Sequence, residues 1–175
     1  MHNVEETTKA HSSPARIRWL TDEQQRVWRS FVHATTLLED HMCRQLQRTV
    51  NMPHSYYLLL VNLAESPHQR LQMSELAMHA KITRPRLSHA VARLEKDGLV
   101  RREEAPSGKR GTFTVLTEEG LEALGRAAAG YATVVQHALF DRLTPQQQES
   151  LGAIMQIVTE GLQTDRAGAD LPWLR

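Results

Sequence analysis

Only one cysteine, Cys43, occurs in 175 residues. This excludes an intrachain disulfide framework and a cysteine-based zinc finger, and it fits a reducing compartment. Apolar runs stop at the few residues of "YLLLV" around Leu60, and the opening stretch "MHNVEETTKAHSSPARIRW" has no apolar core of the signal-peptide kind. Neither a membrane span nor secretion is expected, and the chain is expected in the cytoplasm. A nucleophile elbow, a phosphate-binding loop and a paired-carboxylate arrangement are all missing, so an enzyme is not expected. No internal repeat is visible. Nine histidines raise the question of a metal. His33 and His41 lie two helical turns apart and His137 could approach them, yet no His-x-x-x-His or His/Glu pair within one turn supports a tetrahedral site, so no metal and no cofactor are expected.

What is present is enough for a core. With 41% hydrophobic and 23% charged residues, the chain is expected to fold as one domain, at most two subdomains. The net charge of +1 conceals a division. Residues 70–111 carry ten Lys/Arg against five Asp/Glu, a net charge of +5, which leaves −4 on the remainder. The basic share lies in one stretch of sequence.

Residues 1–20 are polar, contain Pro14 and lack periodicity, and read as a flexible arm. From Thr21, a good N-cap followed by Asp22 and Glu23, apolar residues recur at three- and four-residue spacing through Val27, Trp28, Phe31, Val32, Leu38, Met42 and Leu46. The helix they predict runs to about Arg48. It is roughly 40 Å long at 1.5 Å per residue, too long for so small a body to cover alone, so part of its stripe is expected to meet another subunit. "NMPHS" breaks the pattern and "YYLLLVNLAES" predicts a second helix. Ser74 is placed as the cap of a short helix, "ELAMHA", and "KIT" turns into a further helix starting near Pro85 and ending at Gly98. Leu87, Val91 and Leu94 share one side of it. Two helices joined by a tight turn, the second with a basic outer face, predict a helix-turn-helix. "LVRRE" and "TFTVLT", joined by "APSGKRG", predict a β-hairpin directly after it, which makes a winged helix-turn-helix. Two more helices follow, one opened by "TEEG" after Thr117 and one capped by Thr144 with Pro145 at its first position.

A helix in the major groove reads bases from near its N-terminus. The residues there are Arg84, Arg86, Ser88 and His89. Either arginine could pair bidentately with a guanine edge, and Ser88 and His89 could reach a base or a phosphate oxygen. Ser74 is a candidate phosphate contact at a helix start, and Lys109 and Arg110 at the hairpin tip suit the narrow minor groove of A·T-rich steps. A basic face or a basic hairpin taken singly is ordinarily solvated surface. Helix, turn, helix and basic wing in this order, with the charge gathered into them, point to double-stranded DNA.

These motifs resemble the MarR family of transcriptional regulators over nearly the whole chain from Thr21 to Gln163. "LSHAVARLEKDGLVRRE" is similar to the family's recognition helix and first wing strand, and "KRGTFTVLTEEG" to its wing arginine, second strand and Leu-Thr-x-x-Gly, here Leu116, Thr117 and Gly120. The resemblance implies a mainly α fold with a small β-hairpin: a winged helix-turn-helix over 51–117 and an α-helical dimerisation region formed by N- and C-terminal helices, 21–50 and 118–175. It further implies a homodimer on a near-palindromic operator, acting as repressor or activator. The family's wing usually reads Asp-x-Arg, and here Gly108 stands in place of the Asp while Arg110 is kept. A cleft for a small anionic or phenolic effector is also implied, with Trp28, Phe31, His33, Tyr56 and Tyr57 as candidate lining residues. Relatives that sense peroxide use a cysteine that would fall near Arg29 or Ser30, so Cys43 is read as an inert thiol. The alternatives are a non-specific architectural DNA-binding protein and a winged-helix module that has exchanged DNA for a protein partner.

Overall fold

The computed structural model describes residues 18–104 and 111–166, with side chains to residue 163. Six helices and three strands follow one another: α1 (Asp22–Val50), α2 (His54–Ala64), β1 (Arg70–Gln72), α3 (Met73–Ala80), α4 (Arg84–Lys96), β2 (Val100–Glu104), β3 (Thr112–Leu116), α5 (Glu118–Ala138) and α6 (Pro145–Arg166). The chain divides into two compact units, Met1–Thr35 and Thr36–Arg175.

In the N-terminal unit, Thr21 and Gln24 satisfy each other's backbone N–H groups in a capping box at the start of α1. Trp28 and Phe31 stack with centroids 6.0 Å apart. Both are exposed, as are Val27 and Val32.

The larger unit is built on leucine. Leu46 of α1, Leu59, Leu60 and Leu63 of α2, Leu76 of α3, Leu87, Val91 and Leu94 of α4, and Leu124 and Ala127 of α5 form one continuous core with Val100 and Leu116 of the sheet. Each such leucine contributes about 2 kcal/mol by leaving water, and the predicted stripe Leu87, Val91, Leu94 is the inner face of α4. The sheet is antiparallel with β3 in the middle, in the order β1-β3-β2. The predicted hairpin is the β2–β3 pair, with Arg102 opposite Thr114 and Glu103 opposite Phe113. Strand β1 adds a third rung, Leu71 opposite Thr114. It is only three residues long, which explains why no alternation announced it.

The helix termini follow their capping chemistry. Thr117 caps α5, its hydroxyl accepting the Gly120 N–H at 3.0 Å and donating to the Gly98 carbonyl at 2.7 Å. Thr144 and Gln147 make a capping box before Pro145. Gly98, at φ +76°, turns the chain out of α4 as expected. The start of α3 differs from expectation. Gln72, not Ser74, is its N-cap, in a reciprocal box with Glu75, whose carboxylate accepts the Gln72 N–H at 3.0 Å. Ser74 sits inside the first turn. Gln72 wins because the final residue of β1 already has the extended backbone an N-cap needs. Lys81, at φ +54°, closes α3 in the left-handed region and begins the turn into α4.

Candidate nucleic-acid interface

Helix α4 opens at Arg84 with Thr83 as N-cap and Pro85 in its first turn. Leu87, Ala90, Val91 and Leu94 are buried, so Arg84, Arg86, Ser88, His89 and Ala92 form the outer face. Arg84 and Arg86 have no ion-pair partner among the described residues. Arg93, in contrast, pairs with Asp97 at 3.2 Å, and Arg101 pairs with Glu103 at 2.7 Å.

The four recognition candidates separate onto two flanks. Arg84 and Ser88 line a hollow of about 800 Å³ together with Ser74, Arg102 and Thr112, between the start of α3, the helix α4 and the wing strands. Arg86 and His89 line a second hollow, of about 650 Å³, with Tyr56, His79 and Lys81. The structure therefore brings Ser74 to Arg84 and Ser88, and sets Arg86 and His89 apart from them. Lys109 and Arg110, with Gly108, lie outside the described residues.

Sequence reasoning missed Arg102. Its backbone N–H donates to Glu95 Oε1 at 3.1 Å, its guanidinium lies 3.4 Å from Glu95 Oε2, and Nη2 donates to the Ser88 carbonyl at 3.2 Å. A wing-strand arginine thus holds both the middle and the end of α4. Its pairing with Glu95 spans seven residues and a strand start, a spacing that carries no helical signal. Arg102→Ala is expected to leave the fold intact and to weaken binding to any duplex two- to fivefold, about 0.5–1 kcal/mol, as a loosened α4 loses order. Fluorescence anisotropy against specific and random duplexes reads this, and an unchanged affinity for both would refute the role.

The cleft candidates belong to both units. Trp28, Phe31 and His33 are exposed in the N-terminal unit. Tyr57 is a core side chain, 7% exposed, with its ring 4.8 Å from that of Tyr131. Burial raises its pKa above the usual tyrosine value. Tyr56 lines the second hollow and a further one of about 640 Å³ where Gln47, Asn51, His89, Arg93, Asp97 and Arg126 also meet. Asp97 pairs there with Arg93, and Arg126 lies 3.7 Å from Glu122, so the charge of that space is mixed. His137 near the end of α5 stands 3.8 Å from Asp141 in the turn that follows.

This geometry, a shared helical core with α4 presented beside an antiparallel wing, defines a winged helix-turn-helix protein. A family model described as the MarR family matches residues 50–111. The transcriptional regulator HosA of Escherichia coli O111:H- is 30% identical over 122 residues, 69% of this chain and 87% of its own length. Among solved structures, the MarR family transcriptional regulator Sco3205 of Streptomyces coelicolor, determined in complex with DNA, is 67% identical with a TM-score of 0.83, covering 91% of this chain and all of its own. AbsC, a MarR family transcriptional regulator of the same organism, is 36% identical with a TM-score of 0.78, covering 85% of this chain and 99% of its own. The chain belongs to the MarR family of transcriptional regulators. No helix among its described residues is long and apolar enough to cross a membrane.

Proposed function

We propose that the protein is a sequence-specific regulator that binds double-stranded DNA as a homodimer on a near-palindromic operator and responds to a small anionic or phenolic effector. The observation that carries the DNA reading is the outer face of α4, where Arg84 and Arg86 stand exposed and unpaired among the described residues while the neighbouring Arg93, Arg101 and Arg102 are each held by a carboxylate. Unpaired guanidinium groups on the first turn of such a helix have both the reach and the free donors to read a guanine edge. The relative Sco3205, solved with DNA, supports the same reading.

The division of labour we assign is residues 1–20 as an arm, 51–117 as the DNA-binding domain, and 21–50 with 118–175 as the dimerisation region; of these, 1–17, 105–110 and 167–175 lie outside the described residues. Its support is unburied apolar surface. Ile154, Ile157, Val158 and Leu162 of α6 are 48–70% exposed, and the N-terminal unit exposes Val27, Trp28, Phe31 and Val32. Contiguous apolar surface of this kind marks an interface, and a second copy is the occupant a near-palindrome requires. Ile157→Asp is expected to raise the dimer dissociation constant roughly tenfold or more, since it removes about 1.5–3 kcal/mol of apolar burial per copy. Sedimentation velocity across a concentration series would measure it, and an unaltered dimer would place the interface elsewhere.

For the effector, the 640 Å³ hollow is the strongest candidate. Tyr56 offers an aromatic wall, Gln47 and Asn51 offer amide donors, and His89 belongs at once to the hollow and to the outer face of α4; an anion there would compete with Asp97 for Arg93 and with Glu122 for Arg126. An occupant there would touch the reading helix directly.

Selection of tight binders from a random duplex library at physiological salt tests the central reading. Enrichment of a two-fold symmetric sequence with half-sites about one helical turn apart supports it. Binding that falls steeply with salt but enriches nothing would make the protein an architectural DNA-binding protein.

A further inference from the structure

Three potential metal ligands that no histidine spacing announces come together beneath the α1–α2 turn. Glu39 and Cys43 are one helical turn apart on α1, and His54 is the first residue of α2. One carboxylate oxygen, the Sγ atom and one imidazole nitrogen all lie within 4.8 Å of one another, with His54 Nδ1 4.0 Å from Glu39 Oε1. The His54 side chain is only 13% exposed, whereas that of Glu39 is 67% exposed. The cluster is therefore walled on one side and open to solvent on the other.

The far side of the imidazole is also arranged. His54 Nε2 lies 3.2 Å from the Tyr131 hydroxyl, and the two rings tilt against each other with centroids 5.8 Å apart. In the tautomer that carries its proton on Nε2, the imidazole donates to the Tyr131 oxygen across this contact. With that proton on Nε2, Nδ1 presents its lone pair toward Glu39 and Cys43. A ligating histidine whose other N–H is held by an oxygen is the usual outer-sphere arrangement of a metal site.

We propose that Glu39, Cys43 and His54 form a binding site for a zinc-class divalent cation, with Tyr131 as the positioning residue for His54. Thiolate, imidazole and carboxylate together suit Zn²⁺ better than they suit magnesium or calcium. At zinc bond lengths the donors need to approach to about 3.3–3.8 Å of one another, so binding draws the three side chains closer than the 4.8 Å within which they now lie. Binding releases the thiol proton of Cys43 to solvent, and water fills the fourth position. The ion would tie α1 to α2 and, through Tyr131, to α5. Nothing in this site depends on the proposed DNA contacts.

Titration of the metal-free, untagged full chain with cobalt(II) tests the proposal. One cobalt per chain should bind with thiolate-to-cobalt charge-transfer absorption in the near ultraviolet and the visible bands of a tetrahedral ion, and zinc should displace it. Cys43→Ser should abolish the charge-transfer band while leaving the circular dichroism and thermal midpoint of the metal-free protein unchanged. Tyr131→Phe should keep the band and the stoichiometry but weaken zinc binding about tenfold, as loss of an outer-sphere partner does. Absence of the band at saturating cobalt, or equally tight zinc binding by Cys43→Ser and Glu39→Gln, would overturn the site. Undiminished affinity in Tyr131→Phe would overturn the role of Tyr131.

Discussion

Gly120→Ala is expected to lower stability by about 3 kcal/mol, although alanine is intrinsically the better helix former by roughly 1 kcal/mol. Gly120 lies in the first turn of α5, and a Cβ built there meets the Leu99 carbonyl oxygen at 2.1 Å and Leu116 Cδ1 at 2.7 Å. The first of these atoms is backbone and cannot rotate away. That carbonyl also accepts the Thr117 N–H at 3.2 Å, so retreat of either partner would pull apart the joint between the end of α4, the β3 strand and the start of α5. Thr117 sits at the same joint, bonded to both Gly120 and Gly98. Gly125→Ala, five residues on, is the control: nothing lies within 4 Å of its Cβ position, and the exchange should stabilise by about 0.5–1 kcal/mol. Thermal unfolding separates the two, with a fall of roughly 6–12 °C for Gly120→Ala and a rise of about 1–4 °C for Gly125→Ala at a few degrees per kcal/mol. Equal midpoints would mean that the close approach of Leu99 is not what keeps a glycine there.

The same joint shows how much was legible in advance. Thr117 was visible as a helix start because a cap and an acidic first turn are local signals, whereas Leu116, Thr117 and Gly120 stood out as a unit through the family resemblance; Pro85, Gly98 and Thr144 marked other boundaries by local chemistry. Local chemistry also gave α4 its inner face, since Leu87, Val91 and Leu94 repeat at helical spacing. Strand β1 was not legible. Three residues are too few for alternation, and their place is decided by pairing with β3 some forty positions later. Ser74 misled because two neighbouring positions satisfy a capping rule and only the strand geometry before them chooses Gln72. The division of the recognition residues between two hollows, and the meeting of Glu39 and Cys43 with His54, depend on how α2 and α3 pack around α4 and α1. Side-chain partners across such joints have no fixed offset in sequence.

That division leads to the second large effect. Arg84→Ala is expected to weaken binding to the selected operator about ten- to a hundredfold, about 1–3 kcal/mol, and to relax the preference at one base pair per half-site. Arg84 shares its hollow with Ser74, Ser88 and Leu87, where Arg102 is already occupied by Glu95 and the Ser88 carbonyl. Among the described residues its planar fork is thus the free guanidinium there, and a fork suits two adjacent acceptors on a base edge better than a lone phosphate oxygen. Arg86 stands instead beside His79 and Lys81, a gathering of donors without a carboxylate lining residue. Such a flank matches the phosphate backbone, which attracts charge regardless of sequence. Arg86→Ala should therefore weaken operator and random duplex alike, about three- to tenfold, and reduce the slope of log affinity against log salt by about one. Affinities for a panel of single-base operator variants at two salt concentrations decide between these roles. A uniform loss for Arg84→Ala together with a position-specific loss for Arg86→Ala would exchange the two assignments and turn the reading face of α4 toward α2 instead of the wing.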